Sequence, residues 1–180
     1  MKRPIEYLYQ GLDINPRGIA ATDQREQVSY SELVTRVEAL AQALRQRLPD
    51  GAHVALCAQN HIDHLVAHLA IIAANQVWVP INPKNGQQLN NQLIEVSQPQ
   101  LILVDRTSLD SLPETLTETR SPVVSIDTPN EGTRQWIEQF RGRAFTLELP
   151  SFDRTMAIKF TGGTTGQPKG VIQTHGNVSA

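Results

Sequence analysis

The chain has a single cysteine, Cys57, in 180 residues. No internal disulfide can form, which fits a reducing compartment. No apolar run approaches the ~20 residues that cross a bilayer. The opening Met1-Lys2-Arg3-Pro4 leads into mixed residues without the apolar core of a signal peptide. A cytoplasmic location is expected from these missing signals. Charge is nearly balanced, at −2 net, so there is no basic footprint for nucleic acid. No internal repeat is visible. What remains is ordinary: 39% hydrophobic and 19% charged residues, in a length that suits one globular domain with a real core.

Read in order, the chain alternates strand and helix signals. Residues 1–16 read as an irregular lead-in with at most a helical turn near Tyr7–Tyr9. Gly18–Ala21 and Gln27–Ser29 read as strands around the turn Asp23–Glu26. Ser29 and Glu32 form a capping box. Behind it Leu33, Val34, Val37, Leu40, Ala41, Leu44 and Leu48 make a 3.6-period stripe that ends at Pro49-Asp50-Gly51. Val54–Cys57 suits a buried parallel strand. A helix follows from Ile62, with Ile62, Leu65, Val66, Leu69, Ile72 and Ala73 on one face and Asn75 as its cap. Val77–Val79 is the next strand, broken by Pro80-Ile81-Asn82-Pro83. A helix over residues 87–97 offers Leu89, Leu93, Ile94 and Val96, and Leu101–Val104 is a strand. Beyond Asp105 the pattern loosens, with a strand at Val123–Ile126 and a helix over Thr133–Phe140. This order predicts an α/β fold of βαβ units, a mostly parallel sheet with helices on both faces.

The chemistry is concentrated in Phe160–Gly170, Phe-Thr-Gly-Gly-Thr-Thr-Gly-Gln-Pro-Lys-Gly. Met156–Phe160 before it and Val171–Thr174 after it read as strands, so the segment reads as the tip of a hairpin. Gly162, Gly163 and Gly166 can turn backbone N–H groups toward one point. Thr161, Thr164 and Thr165 add hydroxyl donors, and Lys169 adds a full positive charge beside the stiff Pro168. Charge-assisted hydrogen bonds to phosphate are about twice as strong as neutral ones, so the loop is suited to a polyphosphate. It is not a Walker A loop, which needs Gly-Lys followed by Ser or Thr.

Three other candidates compete. His61, His64 and His68 fall within about 60° on a helix, but they string along it and no cysteine or carboxylate pair joins them. They read as structural or exposed histidines, with no metal site expected. Cys57, inside an apolar strand, reads as a small hydrophobe rather than a nucleophile. Lys159 alternates away from Ile158 and Phe160 and reads as solvent-facing.

The loop resembles the phosphate-binding motif of the adenylate-forming superfamily of acyl-CoA synthetases, adenylation domains and luciferases, and Phe160–Gly170 satisfies that motif at every position. Thr174-His175-Gly176-Asn177 is similar to the Thr-His-x-Asn found downstream of it. Ser29-Tyr30-Ser31-Glu32-Leu33, Val54-Ala55-Leu56 with Asn60, and Val79-Pro80-Ile81-Asn82-Pro83 resemble earlier blocks of the family. Asn75 stands where the family usually has glycine. Gly162 stands where many members have serine, a lean toward acyl-CoA ligases. The resemblance covers Gly18–Asp105 and Asp153–Asn177 and leaves residues 106–152 unaligned.

The resemblance implies activation of a carboxylic acid. Its carboxylate attacks the α-phosphorus of ATP, with Mg²⁺, to give an acyl-adenylate and pyrophosphate; a thiol then takes the acyl group. Thr161, Gly162, Gly163, Thr164, Thr165, Gly166 and Lys169 would hold the phosphates, and His175 would either line the acyl pocket or cap the turn. CoA is the expected acceptor, in an acyl-CoA synthetase of fatty acid metabolism. The alternatives are an amino-acid adenylation domain of peptide-synthetase type, loading a carrier-protein thiol, and a non-catalytic phosphate- or partner-binding module. Residues 1–180 are expected to form the N-terminal portion of the adenylate-forming domain. The adenine, ribose and Mg²⁺ groups and the C-terminal lysine of the family have no counterpart here, so the fragment alone is expected to be inactive. An uncovered apolar face is expected to favour self-association.

Overall fold

Ser29 closes strand β2 (Gln27–Ser29) and opens helix α2 (Tyr30–Arg47) in the computed structural model, which describes residues 2–113, 121–161 and 168–179. β1 (Ile19–Thr22) pairs antiparallel with β2. The Ser29 hydroxyl accepts the Glu32 N–H at 3.2 Å, one half of the expected capping box. The Glu32 carboxylate instead accepts from Arg36 at 2.7 Å and Arg141 at 3.1 Å. The stripe from Leu33 to Leu44 is buried as its period requires, each leucine contributing about 1.5–3 kcal/mol.

The lead-in is not irregular. It is helix α1 (Pro4–Ile14), with proline at its first turn and the Glu6 carboxylate accepting the Arg3 N–H at 2.8 Å. Ile5 and Leu8 are buried in the main core, and Tyr9 and Leu12 pack against it. That is an i, i+3, i+4, i+7 pattern, short enough to miss.

The main sheet has the order β6-β5-β3-β4-β7-β8. Its strands are β3 (His53–Cys57), β4 (Val77–Ile81), β5 (Leu101–Val104), β6 (Val123–Ser125), β7 (Thr155–Thr161) and β8 (Lys169–Thr174). All neighbours are parallel except β7 and β8. Helix α3 (Ile62–Ala73) connects β3 to β4. Helix α4 (Gln87–Ser97) returns from β4 past β3 to β5. Right-handed crossovers running in opposite directions must lie on opposite faces. Two cores follow. Val54, Leu56, Leu101 and Leu103 join α1, α2, α3 and α5 (Gly132–Phe140). Ala55, Cys57, Ile102 and Val104 join Leu93 and Ile94 of α4. This is the doubly covered α/β sheet expected. On the edge strand β8, Val171 and Ile172 remain exposed.

Three details depart from the sequence reading. β4 runs on through Pro80 to Ile81 rather than ending at Val79. On α3 the expected Ile62, Val66, Ile72 and Ala73 are buried, joined by Ala67, Ala70 and Ile71, while Leu65 and Leu69 are only partly buried against the core. On α4, Leu89 and Val96 are exposed while Asn90 and Ser97 are buried. Asn75 behaves as expected: at φ 61° it closes α3, with its N–H on the Ile72 carbonyl and the Gln76 N–H on the Ile71 carbonyl, the paired bonds of a Schellman cap.

Candidate functional site

The strand order fixes where a ligand can enter. The chain leaves β3 toward β4 on one side and later returns to β5 on the other, so a crevice opens at the carboxyl ends of these strands. There the segments after β3 (Ala58, Asn60), after β4 (Asn82, Pro83, Asn85) and at the end of β7 (Lys159, Phe160, Thr161) converge on a cavity of about 560 Å³. β4 and β7 share only the pair Trp78–Ala157. They part at Pro80, which has no N–H to extend a ladder, and the gap is the cavity mouth.

β7 and β8 carry the candidate phosphate loop. Their register sets Phe160 opposite Gly170 and Thr161 opposite Lys169. Gly170 has a packing reason: a Cβ there would sit 2.9 Å from Ile158 Cγ2 and 3.4 Å from the Phe160 ring. Thr161, Pro168 and Lys169 therefore flank the tip, and Thr161 and Pro168 line the cavity. Gly162, Gly163, Thr164, Thr165 and Gly166 lie outside the described residues. The described cavity wall contains Lys159, His64 and three asparagines but no aspartate or glutamate, an environment suited to an anion.

His175 is not brought to this cavity. It follows β8 at the root of the hairpin, six strand residues from the tip, or about 20 Å. Its ring is buried, its backbone N–H donates to the Arg154 carbonyl at 3.0 Å, and the next residue, Gly176, donates to the Phe152 carbonyl at 2.7 Å. Burial, with Arg3 and Arg154 nearby, holds its pKa below the ordinary value. The geometry gives His175 a place in the hairpin's root, away from the other candidates.

The three histidines are more integrated than their spacing suggests. His61 is not on the helix but caps it: its Nδ1 accepts the His64 N–H at 3.4 Å, which makes Nε2 the donor to Asp105 at 3.1 Å. His64 donates from Nδ1 to the Gln59 carbonyl at 3.0 Å. His68 packs edge-on against Trp78 with ring centroids 4.1 Å apart. Burial lowers the pKa of His64, and pushes that of His68 down to about 4 with help from His64 and Lys159. Among the described residues no group of three His, Cys, Asp or Glu side chains is placed to hold a metal. Cys57 is fully buried beside the Ser111 hydroxyl, and burial raises its thiol to about 11, so no thiolate is available. Lys159 faces the cavity and the Trp78 ring rather than open solvent.

Two residues that frame the site had weak sequence signals. Asp105, 1% exposed, accepts from the Gln59 N–H at 2.9 Å, the Ser108 N–H at 2.7 Å, the Thr107 hydroxyl at 3.1 Å and His61. Burial alone would raise its pKa; the bonds from Ser108, Gln59 and His61 outweigh that and leave it lowered. It thereby anchors the segment that presents Asn60. Asn90 donates to the carbonyls of Asn82 at 3.3 Å and Ser111 at 3.0 Å and accepts from Asn85 at 3.1 Å, bracing the opposite wall. A strand followed by Asp, and an Asn in the apolar phase of a helix, were the available clues.

Comparison with known proteins agrees with this geometry. The family model described as AMP-binding enzyme matches residues 12–180, including the stretch 106–152 that the sequence resemblance left unaligned. A nonribosomal peptide synthetase, agiA of Aspergillus flavus, is 29% identical over 93% of the chain, and a plipastatin synthase of Bacillus subtilis is 31% identical over 91%. The chain spans only 2% and 6% of the length of these two relatives. The N-terminal subdomain of Klebsiella oxytoca NpsA, solved with 3-hydroxybenzoyl-AMSN, superposes with a TM-score of 0.78 at 22% identity, covering 97% of this chain and 41% of that one; it shares the fold. With the family model matching from α1 onward and the hairpin register bringing Thr161 and Lys169 together, the chain belongs to the AMP-binding enzyme family.

Proposed function

We infer that the chain is the N-terminal portion of an adenylate-forming domain that activates a carboxylic acid with ATP. The observation that carries this reading is the placement of Lys169 opposite Thr161 at the rim of a cavity whose described wall has no acid, in a chain of the AMP-binding family. On this reading Thr161 and Lys169 steady the β- and γ-phosphates, together with Gly162, Gly163, Thr164, Thr165 and Gly166. Their task is positioning and charge stabilisation as the carboxylate displaces pyrophosphate from the α-phosphorus. Mg²⁺ would neutralise phosphate charge when bound, and the described cavity wall offers no carboxylate of this chain to hold it. The relatives favour a carrier-protein thiol as acceptor, in the peptide-synthetase alternative, because agiA and the plipastatin synthase are peptide-synthesising proteins by name. They lend no support to CoA or to fatty acid metabolism.

The test is direct. MgATP binding is measured by calorimetry on the chain and on Lys169→Met. Loss of the charged contact is expected to weaken binding about tenfold, or ~1.4 kcal/mol. Equal affinity in a folded variant refutes the assignment of Lys169. Carboxylate-dependent exchange of labelled pyrophosphate into ATP, run with the longest protein its gene encodes across amino, aryl and fatty acids, identifies the acid class. Transfer to a phosphopantetheinylated carrier or to CoA then separates the two acceptors.

A further inference from the structure

β7 buries Met156 and Ala157 and packs Ile158 and Phe160 against the α4 core, yet it also carries a lysine. Lys159 points to the opposite face, where its ammonium lies 5.3 Å from the centroid of the Trp78 ring. No carboxylate pairs with it among the described residues. It lines the same cavity as Thr161 and Pro168, the residues on either side of the loop. His64 and Asn60 line that cavity and also a neighbouring cleft of about 280 Å³ containing His61, His68 and Trp78. Among the described residues neither wall holds an acid. Within the cleft, Trp78 Nε1–H and His68 Nδ1 are buried without a hydrogen-bond partner. Buried polar groups of this kind are normally satisfied. A half-desolvated cation facing a cavity whose described wall has no acid is suited to an anion, and the unpaired Trp78 indole N–H lies in the adjoining cleft.

We propose that Lys159, with Asn60 beside it, forms an oxyanion subsite that receives a phosphate-class anion, inorganic pyrophosphate in the adenylation reaction. The identity of the anion rests on the function proposed above; the subsite rests on the cavity and its uncompensated cation. Lys159 is two residues from Thr161 along β7, in a cavity that also reaches His64 of α3. It is positioned to draw the product away from Lys169 without touching the reacting atoms.

Trp78 reports on this directly. The chain has two tryptophans, so Trp136→Phe leaves Trp78 as the only indole, and withdrawal of the ammonium from its ring changes its emission. Titration with sodium pyrophosphate at constant ionic strength is expected to give a saturable change. Lys159→Met should abolish it or weaken apparent affinity at least tenfold, and Lys159→Arg should restore it. Lys169→Met should leave the Trp78 response in place. A response to inorganic phosphate as well supports the subsite. Saturation reproduced by chloride, no saturable change in a protein with native circular dichroism and melting, or a response that survives Lys159→Met overturns it. MgATP affinity is read in parallel. Loss of that affinity in Lys169→Met without a Lys159-dependent Trp78 response defeats the subsite and leaves the loop assignment standing. The reverse result defeats the loop assignment alone.

Discussion

Replacing Asp105 tests how the site is held. Its carboxylate receives the N–H groups of Gln59 and Ser108, the Nε2–H of His61 and the Thr107 hydroxyl at 2.7–3.1 Å, almost without exposure. A hydrogen bond to a charged group contributes about 1.5–3 kcal/mol, but removing one acceptor lets water and neighbours relax around several donors at once. Summing all four would overshoot. Asp105→Ala is therefore expected to cost about 3–4 kcal/mol, and Asp105→Asn, which keeps one acceptor oxygen, about 2 kcal/mol. For a chain of this length that corresponds to a fall in Tm of roughly 6–16 °C for the alanine variant. Urea unfolding followed by tryptophan fluorescence measures it. The pH dependence has a fixed sign. The folded carboxyl pKa is depressed, so its contribution is complete above the unfolded value near 3.9 and is lost as pH falls through the folded value. The gap between parent and Asp105→Asn should hold constant from pH 8 to about 5 and begin to close only below about 4. A cost under about 1 kcal/mol, or a gap that closes as pH rises, refutes the claim that this carboxylate anchors the Gln59–His61 segment.

Two further outcomes follow from single positions. Asn75 at φ 61° should lose about 1 kcal/mol when changed to alanine and almost nothing when changed to glycine, which takes that conformation freely; chemical denaturation separates the two. Cys57, buried with its thiol pushed to about 11, should react with a thiol reagent at pH 8 only as fast as the protein opens. Rapid stoichiometric labelling of native protein would contradict its placement in the sheet.

What could be read from sequence followed physical periodicity. The α2 stripe, the parallel strands and the Asn75 cap were legible because burial and backbone conformation constrain those residues locally. α1 was less legible, since one short amphipathic face competes with loop signals and its burial depends on a core built by later elements. The expected faces of α3 and α4 were right in part: Ile62, Val66, Ile72 and Ala73 and then Leu93 and Ile94 are buried, but the additional buried residues were missed for the same reason. Ala67, Ala70 and Asn90 carry little hydrophobicity, yet they are buried by close helix approach and by a polar brace. The roles of Asp105 and His61 depended on contact across 44 residues of sequence, which no local pattern encodes. Lys159 shows the limit of alternation as a guide. The strand period gave its face correctly, away from Ile158 and Phe160, but not that Trp78 and a cavity occupy that face.

The placement of Thr161 and Lys169 beside each other depends on strand register. Strand side chains alternate, so a one-residue slip between β7 and β8 would turn Lys169 to the other face and separate it from Thr161. The pair that prevents this is Phe160 opposite Gly170. The absent Cβ leaves room for Ile158 and for the Phe160 ring, at 2.9 and 3.4 Å from where that carbon would be. The aromatic residue at one end of the motif and the glycine at the other thus act together to hold the hairpin, with Thr161 and Lys169 paired between them. The same strand shares only the pair Trp78–Ala157 with β4 and lines the cavity with Lys159, Phe160 and Thr161. That strand therefore carries both the hairpin and one wall of the cavity beside it.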